Sequence, residues 1–210
     1  MKRFFLFLVP LCLSACVSQD FKTYDRYLAS KHLPPVTVEE FPHCQNYGCP
    51  IYKLVSLNPK SWEEIGKIFT PASQSAEEER SRLGQAVGLF ERKVGPLTGT
   101  DVDVGDTFKK TGDGQLDCVD ESTNTTIYLD LLRQKGWLKF HAIEQPHIRL
   151  PITGGGYWIH QTAVIRDLRT NELYAVDSWF DDNGSPAYVV PFESWRTGWK
   201  PESWKKKDKS

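Results

Sequence analysis

An α+β domain is predicted by three features of this 210-residue chain. Helical periodicities follow one another from about residue 61 to Gly136, and extended segments separated by turn signals fill the stretch from 138 to 190. The two kinds of pattern do not alternate, which favours helices packed on an antiparallel sheet over a parallel βαβ arrangement.

Ser61 and Glu64 fit a capping box ahead of a short helix over 62–69, with Trp62, Ile65 and Phe69 on one side and Thr70-Pro71 closing it. Ser75 with Glu78 opens a longer helix to about Val94, on which Leu83, Ala86 or Val87, Phe90 and Val94 recur at helical spacing. Gly95-Pro96 is expected to stop it. A polar loop then leads to Asp117, the expected N-cap of a third helix in which Cys118, Ser122, Thr125, Leu129 and Leu132 form one stripe. Gly136 is a natural C-terminal cap. Extended segments at 138–143, 157–166, 173–177 and 187–190 follow, with turns at 167–171 and 181–184.

The ends of the chain carry other information. Lys2 and Arg3, an apolar run over 4–11 and Leu13-Ser14-Ala15-Cys16 have the anatomy of an export signal, and the run is too short to span a bilayer. The stretch resembles a bacterial lipoprotein lipobox. That resemblance implies removal of residues 1–15, lipidation of Cys16 and, with Val17 next, an outer-membrane anchor facing the periplasm. Residues 16–58, with Pro34, Pro35, Pro42 and Pro50 and no sustained period, read as a tether and irregular segment, 59–204 as the domain, and 205–210 as a charged, solvated tail. A formal net charge of -1 gives no case for nucleic-acid binding, and no second apolar run reaches membrane length.

With Cys12 in the signal and Cys16 lipidated, three cysteines remain. Cys44 and Cys49 flank a turn-like Gln45-Asn46-Tyr47-Gly48 and are the expected disulfide pair in an oxidising compartment, with pairing of either to Cys118 as the competing arrangement. His43, Cys44 and Cys49 match no common zinc spacing. Cys118 is then the odd thiol, in the first turn of a helix, where the dipole and unpaired N–H groups favour a thiolate. His160 and Asp177 lie at two ends of an expected hairpin and supply a base and a group to orient it. His141 and His147 are the alternative bases. Taken singly each residue is more often structural; together and in this order they point to thiol hydrolysis.

Asp117-Cys118-Val119-Asp120 opening a helix, His160 beginning a strand-turn-strand and Val176-Asp177-Ser178-Trp179 closing it resemble the transglutaminase-like superfamily, especially its bacterial cysteine proteinase branch. The resemblance covers roughly residues 60 to 200. It implies a papain-like fold, Cys118 as nucleophile, His160 as base and then acid, Asp177 as orienter, and an oxyanion hole using the Cys118 N–H. The second oxyanion donor departs from the pattern, since no Trp lies between Trp62 and Cys118; Gln115 is the nearest amide. Some relatives hold calcium beside the nucleophile, but Val119 stands where they carry an acid. The loop with Asp101, Asp103 and Asp106 is the other possible source of ligands, and no cofactor is the expectation.

The implied function is cleavage of a peptide or protein amide in the cell envelope through an acyl-enzyme. Acyl transfer to an amine and a catalytically inactive binding lipoprotein are the alternatives, and a structural lipoprotein with Cys118 in a disulfide is a third. Gly154-Gly155-Gly156 reads as a flap lacking the context of a phosphate loop, and Trp158 and Trp179 as cleft-lining residues.

Overall fold

The computed structural model describes residues 22–107, 112–151 and 159–207. The stretch read above as an export signal, Cys16 and the segment carrying Gly154–Gly156 and Trp158 lie outside the described residues. The architecture is mixed helix and sheet: α1 (Lys22–Ser30), β1 (Phe41–Gln45), β2 (Ile51–Val55), α2 (Pro59–Ile68), α3 (Ala76–Thr98), α4 (Cys118–Gln134), β3 (His141–Arg149), β4 (His160–Asp167), β5 (Leu173–Asp177), β6 (Tyr188–Pro191), α5 (Phe192–Arg196) and α6 (Glu202–Lys207). β3 to β6 form an antiparallel sheet in sequence order, and β1 pairs with β2 in a separate hairpin.

α4 is the centre of the molecule, with every side chain from Asp120 to Leu132 buried rather than a single stripe. Ile127 and Leu131 join Ala163, Ile165 and Val176 of the sheet in the main core. Its polar face is also covered, and each group there has a partner, as burial requires. Asn124 accepts from the Cys44 N–H at 2.7 Å and donates to the Cys44 carbonyl at 3.1 Å, while Asp120 accepts from the N–H groups of Tyr47 and Cys49, both at 2.7 Å. Tyr24 donates to Asp130 at 2.7 Å.

Those contacts correct the reading of residues 16–58 as a tether. From Lys22 onward the chain belongs to the domain: Tyr24, Leu28, Phe41 and Val55 lie in the main core, and the hairpin is clamped to α4. Cys44 and Cys49 form the expected disulfide, which removes them as metal ligands and leaves Cys118 free.

Two helix boundaries also differ from expectation. α2 is capped by Asn58, whose side chain accepts from the Ser61 N–H, with Pro59 in the first turn where its missing donor costs nothing. α3 begins at the expected Ser75 cap but runs through Gly95-Pro96 to Thr98. Its stop is Gly99, at φ +82°, where a side chain would strain the backbone. β3 extends past Pro146 by means of a bulge between Glu144 and His147.

Candidate active site

Asp117 caps α4 by accepting from the N–H groups of Val119 and Asp120, and Asp120 reaches back toward the Asp117 N–H. This capping box makes Cys118 the first residue of the helix. Its N–H therefore has no intrahelical carbonyl to bond.

His160 and Asp177 are brought together as expected. His160 opens β4, Asp177 ends β5, and the alternation of side chains sets both on the sheet face that carries Val164, Ala175 and Trp195. Nε2 of His160 lies 2.8 Å from Oδ2 of Asp177, with both side chains almost fully buried. The carboxylate also accepts from the Trp195 indole at 2.7 Å and from the Trp179 N–H at 3.3 Å. An acceptor-only carboxylate fixes the proton of His160 on Nε2, so Nδ1 carries the lone pair. Nδ1 is buried and has no hydrogen-bond partner among the described residues.

The thiol stands close to this pair without bonding it. Cys118 packs against the cluster of Trp179, Phe180 and Trp204, and the His160 ring lies 4.7 Å from the Trp179 ring and 5.4 Å from the Phe180 ring. Burial pushes the Cys118 thiol up to about 12; Asp117 and Asp177 add to the rise, and backbone hydrogen bonding from Gln161 and from Cys118 itself opposes it. Desolvation thus outweighs the helix dipole. The shift runs opposite to the lowering expected from its helix position.

A polar clamp holds α4 against the sheet at this point. The Gln161 amide donates to Tyr27 Oη at 2.8 Å and Ser122 Oγ at 2.7 Å. Thr123 gives its hydroxyl proton to the Val119 carbonyl at 2.6 Å, so Tyr27 donates to Thr123 at 2.8 Å. On the same turn of α4, Ser178, the neighbour of Asp177, donates to Glu121. Both ends of the His160–Asp177 pair are thereby indexed to the helix that carries Cys118.

Beneath it lies a group of buried acids. Glu91 and Glu121 sit well above the usual carboxylate range because of burial and then of like charge, Glu121 acting on Glu91 and Asp103 on Glu121. Asp103 is pushed up to about 7, burial first. The loop carboxylates do not converge on an ion: Asp103 accepts from the Leu116 N–H at 2.8 Å while Asp101 is exposed. Asp117 and Asp120 are committed to backbone N–H groups. Among the described residues no group of three or more His, Cys, Asp or Glu side chains is placed to hold a metal ion.

Gln115 is not placed to complete an oxyanion hole. Its amide accepts from the Val104 N–H at 3.1 Å and donates to the Val102 carbonyl at 2.7 Å, pinning the loop. The alternative bases are also elsewhere engaged. His141 Nδ1 is 2.8 Å from Glu79, and His147 packs 5.0 Å from the Phe192 ring with its pKa lowered by burial. Sequence reasoning missed Trp195, Gln161 and Tyr27. Only Gln161, an amide directly after His160 and just ahead of the apolar run Ala163 to Ile165, carried a local signal. No protein-family model, curated protein or solved structure matches this chain.

Proposed function

We propose that this protein is a lipid-anchored envelope thiol hydrolase of transglutaminase-like, papain-like fold that cleaves a peptide or other amide through Cys118, His160 and Asp177. The observation that carries the reading is the His160 ring: one nitrogen is bonded to Asp177 and the other is buried without a partner among the described residues, and the ring shares the Trp179 cluster with a free thiol at a helix N-terminus. His160 Nδ1 takes the Cys118 proton as sulfur attacks the carbonyl carbon. The C–S bond forms, and the oxyanion is met by the Cys118 N–H. The amine leaves with the proton from His160, and water then hydrolyses the thioester. Asp177 holds the imidazole in the required tautomer throughout.

The neutral thiol and the missing thiol–imidazole bond favour one rival, a binding lipoprotein that uses the same cleft without turnover. Exposure of the full chain to p-nitrophenyl acetate separates the two. The hydrolase gives a burst of nitrophenol and an acetyl adduct on the Cys118 peptide, both abolished in Cys118→Ala and His160→Ala. The rival gives no adduct, or one indifferent to His160. Envelope anchoring rests on the lipobox pattern alone; among the described residues no helix is long and apolar enough to cross a membrane.

A further inference from the structure

Arg149 ends β3 and is the direct register partner of His160 across the β3–β4 pair. Register partners in an antiparallel pair project from the same face within side-chain reach of each other. Arg149 is only 2% exposed and ranks among the largest fully buried side chains. Its Nη1 donates to the carbonyls of Trp195, at 2.7 Å, and Trp199, at 3.0 Å, and the guanidinium lies 4.9 Å from the Trp195 ring. Among the described residues Nε and Nη2 are buried with no partner. Burial pulls the guanidinium below its usual range, and Asp177 and Cys118 act against that pull.

A buried cation with unused donors is strongly unfavourable, and an apolar side chain of similar size would pack the same space at less cost. Its location gives it a use. Trp195 links it to the site: the backbone carbonyl of that residue accepts from Arg149 while its indole donates to Asp177. When the Cys118 proton moves to His160, an S–H bond breaks, an N–H bond forms, and two charges appear. Asp177 is already in place for the imidazolium. The thiolate needs a counterpart, because Asp117 on its own helix and Asp177 on β5 both oppose it.

We infer that Arg149 is a positioning residue of the Cys118 site, the fixed cation that offsets the thiolate and, through Trp195, holds Asp177 on His160. This rests on the reading of Cys118 as a nucleophile activated by His160. Other charged or titratable groups around the aromatic cluster that packs on Cys118 are Lys200, 3.5 Å over the Trp204 ring, and Tyr188, which donates to Asp181. Neither is on β3 or β4.

The test is the rate of Cys118 alkylation between pH 5 and 9 on the full chain, read on the Cys118 peptide, with neutral iodoacetamide and anionic iodoacetate. In the folded protein the iodoacetate-to-iodoacetamide ratio is expected several-fold above that of the urea-unfolded chain. Arg149→Met is expected to move the profile up by about one pH unit or more and to bring the ratio down, while Arg149→Lys, which keeps the charge, recovers most of both. A folded Arg149→Met protein with an unchanged profile and ratio overturns the inference. So does Arg149→Lys behaving like Arg149→Met, which marks a purely steric role. If Arg149→Met does not fold, the wild-type ratio decides alone: equality with the unfolded chain refutes a local cation. His160→Ala keeps the two readings apart, since a profile that responds to His160 but not to Arg149 removes only the role given to Arg149. A profile that responds to neither removes the nucleophile itself.

Discussion

Two histidine–carboxylate pairs lie at opposite ends of the same sheet with the same separation, 2.8 Å, and nearly the same burial. In the His141 pair every group is used. Nδ1 donates to Glu79, Nε2 accepts from Arg80 at 3.1 Å, and Glu79 also accepts from the N–H groups of Lys139 and Phe140. In the His160 pair one nitrogen is without a partner among the described residues, and the ring shares the Trp179 and Phe180 cluster with the Cys118 thiol. Burial and distance are thus shared by the two pairs. What separates them is the His160 nitrogen without a partner among the described residues.

The largest expected effect lies at the second pair. His160→Ala or Asp177→Asn should lower acylation of Cys118 on the order of 10²–10⁴-fold, the range typical of losing a general base or its tautomer. The same assay on His141→Ala, provided the protein is folded, should show no comparable loss; an equal loss would dissolve the contrast. Glu79→Ala should do the reverse, destabilising the fold by about 3–5 kcal/mol in denaturant titration, as expected when a buried pair loses one partner, without altering Cys118 reactivity per folded molecule.

A smaller effect comes from the buried acids. Burial raises Asp103 and Asp120 each to about 7, with Asp117 adding to Asp120. A carboxyl whose folded pKa is raised binds its proton more tightly folded than unfolded. Its stabilising contribution is full below the unfolded value of about 4 and is lost as pH rises through about 7. Unfolding free energy should thus be greater at pH 5 than at pH 8, by a few kcal/mol from these groups together, and Asp103→Asn should flatten the curve. A stability that rises between pH 5 and pH 8 contradicts this. The smallest effect belongs to Gln115→Ala, which should leave Cys118 acylation within about twofold, because that amide holds the loop rather than the oxyanion. A hundredfold loss there would restore it to the site.

How much of this was legible depended on how local each determinant is. The Asp117 cap, the Cys44–Cys49 bridge, the extent of β5 and the pairing of His160 with Asp177 follow from short-range chemistry and were readable. β1 was not, since Phe41 to Cys44 are buried on both faces and leave no alternation to detect. Pro96 misled because tertiary packing carries α3 past it: a side chain on Gly95 would meet the Asp101 backbone at 2.9 Å, so the helix end is seated against that loop. Trp195 and Arg149 reach the site from a short helix and an opposite strand, and only the register of the sheet places them there. The raised thiol pKa also lay beyond sequence reasoning, because it depends on how far Trp179, Phe180 and Trp204 close over the helix end.

Activation of Cys118 by His160 is read in the rate of iodoacetamide labelling at Cys118 against pH. With a thiol held near 12, unassisted labelling should be slow at neutral pH and climb about tenfold per unit toward pH 9. His160→Ala should show that behaviour. The wild-type chain should instead label at pH 7 at least about tenfold faster than the variant, through proton transfer to the imidazole. Superimposable profiles for the two proteins would contradict the account.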